Sequence, residues 1–351
     1  SSLFREINND VDIVYIFPGN IENSGYINNI HYYQFIENKN VVETFKKIIK
    51  IEQPDLIHIF GTESPHSACM VKANNGEKTL ISIQGIISRI KSHCRNTLPN
   101  SVYYGFTIHD LLTRSNPFLT RRKMEKKGKQ ELNLFKQAKF ITGRTEWDYA
   151  ATCQLAPQAK YYFCREIIRN SFFSYEWRIE RCKRHSIFMT NGYAIYKGFH
   201  DLLTAMPFVL SKYSDAKIRV IGKDPRSIPW YKLSTYNRFI IRLIKQYKLD
   251  NVVEFCGYLS EKEFAEELVS ANVFTLTSAI ENSPNSLVEA MIVGTPIVCS
   301  DVGGVKDILS HNINGYVYQQ NAPYMLAHYI CKIFEQEEKT VKMSVNSRAS
   351  S

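Results

Sequence analysis

Short β-branched runs that stop at glycine or proline alternate with helical stretches, and the alternation occurs twice along the chain. In the first half the run at 12–17 ends at Pro18-Gly19, that at 55–60 is closed by Gly61, and that at 79–84 stops before Gly85. Residues 44–51 place Phe45, Ile48 and Ile49 on one helical face, and 67–73 and 124–137 also read as helices, with a further strand at 139–142. Strand and helix in this order predict a parallel, doubly wound α/β sheet, because each strand must be reached by a crossover. The second half repeats the grammar. Strands are expected at 186–189, 217–222, 252–256, 273–276 and 296–299, and helices at 199–210, 236–247, 261–270 and through Met291. With 351 residues, two domains are expected: 1–172, an aromatic and charged connection at 173–185 (Trp177 among it), and 186–351. Ligands in such sheets bind beyond the carboxyl ends of the strands.

Composition narrows the class. With 44% hydrophobic and 22% charged residues the chain reads as globular, and no apolar run approaches the roughly 20 residues needed to span a bilayer. The eight cysteines are scattered without a CxxC pair, which predicts reduced thiols, no structural zinc and a cytoplasmic setting. A net charge of +10 (44 basic against 34 acidic residues) suits nucleic acid, an anionic membrane or phosphorylated small molecules.

The segment from Thr277 to Tyr318 separates these options. A strand ends near Leu276, a polar loop follows, and a helix is expected to open with Ser283 as N-cap and Pro284 at its first position. Its N–H groups and dipole would seat a diphosphate. Glu281 precedes that helix and Glu289 lies within it. A carboxylate there does not help to bind phosphate but suits a vicinal diol such as a ribose.

Glu281 and Glu289, then Gly294-Thr295-Pro296-Ile297-Val298 and Asp301-Val302-Gly303-Gly304, resemble the signature of glycosyltransferase family 4 (group 1), retaining enzymes of the GT-B fold. The likeness extends through Tyr196-Lys197-Gly198-Phe199, Val220-Ile221-Gly222 and Val253-Glu254-Phe255-Cys256-Gly257, over about residues 186–320. It implies two Rossmann-like domains facing each other across a cleft. It further implies a transferase that moves a sugar from a nucleotide-diphosphate donor to a glycan or lipid-linked acceptor, without metal or other cofactor. Carried over, Glu289 holds the ribose and Glu281 faces the transferred sugar. The amides around Asn285, Ser286 and Leu287 receive the diphosphate, and Lys197 neutralises it as the bond to the sugar breaks.

Two positions depart from the family pattern. The arginine that many members carry ahead of Lys-Gly is missing, with Asn191 nearest to it, and a sugar-facing histidine is replaced by Gln84 beside Gly85. At the N-terminal domain's side of the cleft Thr62, Glu63 and His66 are candidates, and Arg144 is one for the missing phosphate cation. The alternatives are that His58 is buried and that His66 caps a helix; a metal site of His58, Glu63 and His66 is set aside because the resembled family works without one. The resemblance also implies surface-polysaccharide or glycolipid assembly at the inner face of the cell membrane. There the basic run 121–129 would meet anionic lipid. A sugar-nucleotide epimerase or hydrolase, or a nucleic-acid-binding protein, is the alternative; the first lacks a convergent acid/base set and the second any recognition motif, so no nucleic-acid partner is expected. Against the family pattern, a chain that begins Ser1-Ser2-Leu3 and stops after Ser351 is expected to lack a first strand and a C-terminal crossing helix. It is then expected to bind nucleotide but transfer sugar slowly.

Overall fold

The computed structural model describes residues 11–28, 30–38 and 40–351; Ser1-Ser2-Leu3 lies outside them. Two compact units form. The first comprises the described residues up to Arg89 together with Met124–Arg169, the second Ile90–Lys123 together with Asn170–Ser351.

In the first unit, strands β1 (Val14–Gly19), β2 (Asn23–Ile27) and β3 (Ile30–Ile36) make a small sheet in the order β1-β3-β2, with β1 parallel and β2 antiparallel to β3. The strand expected at 12–17 therefore belongs to this separate sheet and not to the main one. Phe35 of β3 packs edge-on to Phe45 of the helix Val41–Glu52, ring centroids 4.9 Å apart, which buries the helix's apolar stripe. The main sheet is β4 (Ile57–Phe60), β5 (Thr79–Ser82), β6 (Phe140–Gly143) and β7 (Lys160–Phe163), all parallel and in sequence order. The basic run lies on the helix Pro117–Gln137, which starts earlier than the expected 124.

The second unit holds a six-stranded parallel sheet of β8 (Ser186–Met189), β9 (Lys217–Val220), β10 (Val253–Phe255), β11 (Val273–Leu276), β12 (Ile297–Ser300) and β13 (Tyr316–Tyr318). Their order is β10-β9-β8-β11-β12-β13. Every residue of β8, β11 and β12 is buried, as strands covered on both faces must be. All eight cysteines are free thiols.

Residues 90–123, expected within the first domain, pack on the second unit. Leu98 and Val102 share its core with Phe199, Tyr236 and Phe239. The Thr97 hydroxyl donates to Asp201 Oδ1 at 2.8 Å. Asp110, fully buried, accepts from the Thr235 backbone N–H at 2.8 Å, from the Thr107 N–H and hydroxyl, and from Ser115. Burial pushes the Asp110 carboxyl up, but the hydrogen bonds from Thr235, Ser115 and Thr107 outweigh it and hold its pKa below the ordinary value. Because the folded pKa is the lower one, this stabilisation is fully present above about pH 4 and is lost as pH falls through the folded pKa. Asp110→Ala should cost roughly 2–4 kcal/mol by stranding these donors. It should also remove part of the acid sensitivity of unfolding below about pH 4, and an unchanged acid limb would refute the assignment.

Candidate functional site

The strand order reverses between β8 and β11, which are neighbours. That is the topological switch point, where the loops leaving the two strands open side by side. The loop after β8 carries Lys197, the loop after β11 carries Glu281, and the two meet as an ion pair of 2.5 Å. Glu281 is only 9% exposed, and Ser278 donates to the same oxygen at 2.6 Å. The Lys197 ammonium also lies 5.6 Å from the centre of the Tyr196 ring.

Two glycines explain how the loops come this close. Gly198 adopts φ +73° against the Thr277 carbonyl, where a side chain would collide with backbone. Gly303, at φ +50°, lies in the same way on the Glu281 carbonyl, and the adjoining Gly304 N–H donates to that oxygen at 3.1 Å. Further bonds knit the loops: Ala279 N–H to the Tyr196 carbonyl at 2.7 Å, and the Thr277 hydroxyl 2.9 Å from the carbonyls of Lys197 and Gly198.

The helix runs Asn285–Val293 with Pro284, not Ser283, at its cap and without a side-chain cap bond. Asn285 is exposed and Ser286 half-buried, and their N–H groups stand ahead of the first intrahelical bond. Leu287 differs from its expected role: it is buried and its N–H is given to the Pro284 carbonyl at 2.9 Å. Glu289 is buried one turn further on. At the other end Arg348 donates to the carbonyls of Ile292 at 2.6 Å and Val293 at 3.1 Å, fixing the helix terminus.

Asn191 acts locally. Its side-chain oxygen accepts from the N–H groups of Tyr193 and Ala194, both at 2.9 Å, and so shapes the loop that leads to Lys197. Sequence reasoning gave no role to Ser278, Tyr196 or His93. Ser278, three residues before Glu281, has that spacing as its only signal. His93 is hydrogen-bonded to the Ala279 backbone, and burial lowers its pKa.

In the first unit Arg144 is 7% exposed and committed to Glu166, to the Ile83 carbonyl at 3.2 Å and to Gln84 Oε1 at 2.7 Å. Its guanidinium is thus tied within the first unit by these three contacts. Gln84 lies beside it, on the turn that ends β5. The buried Thr62 hydroxyl lies 2.6 Å from Glu131 Oε1 and 3.0 Å from the Gly85 carbonyl. Glu131, unremarked in the sequence, also accepts from the N–H groups of Ile87 and Ser88. Glu63 sits by this carboxylate, and burial, then the Glu131 charge, raise its pKa against opposing backbone hydrogen bonds. His66 pairs with Glu37 at 2.9 Å and His58 with Ser82. Among the described residues no three His, Cys, Asp or Glu side chains converge as a metal cage.

Residues 180–350 match the family model described as glycosyl transferases group 1. The amylovoran biosynthesis glycosyltransferase of Erwinia amylovora is 28% identical over 107 residues, covering 29% of this chain and 26% of its own length. The chain spans 40%, 30% and 26% of three curated relatives it matches. Among solved structures, sucrose-phosphate synthase of Thermosynechococcus elongatus superposes with a TM-score of 0.71 at 16% identity, over 98% of this chain and 85% of that one. HepE of Anabaena, determined in complex with UDP-glucose, gives 0.65 at 16% identity over 96% and 94%. The chain thus has the GT-B type of fold, and residues 180–350, with Lys197, Glu281 and Glu289, are a glycosyl transferases group 1 domain.

Proposed function

We propose that the chain is a retaining glycosyltransferase of family 4 that moves a sugar from a nucleotide-diphosphate donor to a glycan or lipid-linked acceptor. The observation that carries this is the Lys197–Glu281 pair at the switch point, beside the opening turn of the Asn285–Val293 helix. A cation and a carboxylate held together match the two charges of the reacting centre. The diphosphate takes Lys197 and the Asn285 and Ser286 N–H groups, while the sugar hydroxyls take Glu281. Lys197 then neutralises charge that grows as the glycosidic bond breaks, in a reaction that uses no bound metal or cofactor. Glu289 supports the ribose assignment. A vicinal diol offers a carboxylate at this position of the helix two donors.

Surface-polysaccharide assembly is the setting we favour, since the Erwinia relative is named for amylovoran biosynthesis. Among the described residues no helix is long and apolar enough to cross a membrane, and in our reading the enzyme works at the inner face of the membrane by peripheral contact. HepE was solved with UDP-glucose, so UDP leads the donor bases to try. Thermal-shift titration with UDP, GDP and ADP and their sugars tests the reading. Stabilisation by one base is expected, at about 2.7 kcal/mol when ligand reaches about 100 times its Kd. Glu289→Ala should weaken that nucleotide by roughly 1.5–3 kcal/mol, or about 10- to 150-fold in Kd. Equal affinity in both proteins would remove the ribose role.

A further inference from the structure

The loops that carry Lys197 and Glu281 are held from a further side by residues 91–97, a segment distant from both in sequence but part of the same unit. It opens with a single helical turn, Lys91–His93, and bends at Asn96, whose backbone takes a left-handed φ of 44°. Asparagine tolerates that conformation better than most residues, and the bend lets neighbouring side chains reach different loops. Asn96 Oδ1 accepts from Gln320 Nε2 at 2.7 Å, in the loop leaving β13. The Thr97 hydroxyl, which donates to Asp201, also lies 2.8 Å from His200 Nε2, on the helix that follows Lys197-Gly198. His93 donates to the carbonyl of Ala279, in the loop leaving β11. All three anchors stand at the carboxyl edge of the six-stranded sheet, where the donor loops open.

The Ala279 peptide is where these ties meet the site. Its N–H is given to the Tyr196 carbonyl, beside Lys197, and its carbonyl accepts from His93. Ala279 is 2% exposed and lies between Ser278 and Glu281, whose side chains are bonded to each other. Deleting the imidazole takes a donor from a buried carbonyl, and the loop must move to recover one. Burial lowers the pKa of the ring, so at neutral pH it is an uncharged donor. It brings no second cation to compete with Lys197 for Glu281.

We propose that His93 is a positioning residue for the sugar half of the donor site: through the Ala279 carbonyl it fixes the loop that presents Glu281. This role rests on the reading that Glu281 meets the transferred sugar while Glu289 meets the ribose. Two ligands that share a nucleotide are therefore affected differently. Loss of the His93 bond weakens the nucleotide sugar and spares the bare nucleotide.

UDP and UDP-glucose serve as probes, and hydrogen exchange of the ligand-free full chain gives a readout that needs neither. His93→Phe keeps the bulk of the ring and deletes the donor, while His93→Asn and His93→Gln place an amide N–H where Nδ1 or Nε2 stands. The Phe variant should bind UDP-glucose about tenfold more weakly than wild type, and UDP within about twofold of it. Its Ala279 amide should exchange at least about tenfold faster. One of the two amide variants should restore both values. Wild-type exchange at Ala279 in the Phe variant would overturn the role. So would equal weakening of UDP and UDP-glucose, or amide variants no better than Phe. Should the Phe variant fail to fold, the two amide variants are compared with each other: one alone should match wild type, and if both or neither do, the role is lost. A wild type that binds neither probe counts against the transferase reading with UDP, and the exchange rates then decide on His93 by themselves.

Discussion

Replacing Lys197 with alanine should lower kcat by about 10²- to 10³-fold and raise the donor Kd by a smaller factor. Two losses combine. The leaving diphosphate loses a cation whose attraction strengthens as charge builds toward the transition state. Glu281, 9% exposed and held at 2.5 Å, loses the Lys197 ammonium and keeps Ser278 as a neutral partner. A buried carboxylate without its cation favours a shifted loop, which spoils the surface offered to the sugar. Steady-state kinetics at saturating donor, with nucleotide Kd measured separately, decide the matter. If KM alone rises and turnover holds, Lys197 is a uniform binder and the leaving-group role is wrong.

Gly303→Ala should be nearly as damaging although Gly303 has no side chain to lose. Its φ of +50° and its contact with the Glu281 carbonyl leave no room for a methyl group. Left-handed backbone costs a non-glycine residue of order 1–3 kcal/mol, and a collision with backbone adds a comparable amount. We expect a loss of roughly 2–5 kcal/mol, seen as a lower unfolding midpoint, together with weakened nucleotide binding because Glu281 moves with its carbonyl. A wild-type midpoint with wild-type affinity would show that the loop yields freely. The glycine of an Asp-x-Gly-Gly sequence is thus explained by a backbone contact 22 residues away, between positions 281 and 303.

The second unit was legible where burial on both faces forces a continuous apolar run, as in Phe274 of β11 and Val298 of β12. Its loops were legible because glycine and proline punctuate them. The first unit was harder. Strands β2 and β3 escaped notice because Asn23–Ile27 is mostly exposed, and its antiparallel pairing with Ile30–Ile36 leaves no apolar alternation to find. Arg144 looked free for phosphate because Glu166 and the Ile83 carbonyl meet it only in the fold. The allegiance of residues 90–123 is likewise decided by distant partners: Asp110 and Thr235 are 125 positions apart, and no local pattern announces such a bond.

That distance also sets an order of events during synthesis. The first unit is complete once Arg169 has emerged, but 90–123 has left it and must wait for residues of the second. Until Tyr236 and Phe239 are made, Leu98 and Val102 have no core to enter, and Leu111 and Leu112 are already in water. Contacts of such long sequence separation form late, so we expect the second unit to be the slower one to fold. On that expectation the nascent chain exposes most apolar surface between the completion of the first unit and the arrival of the Thr235–Gln246 helix.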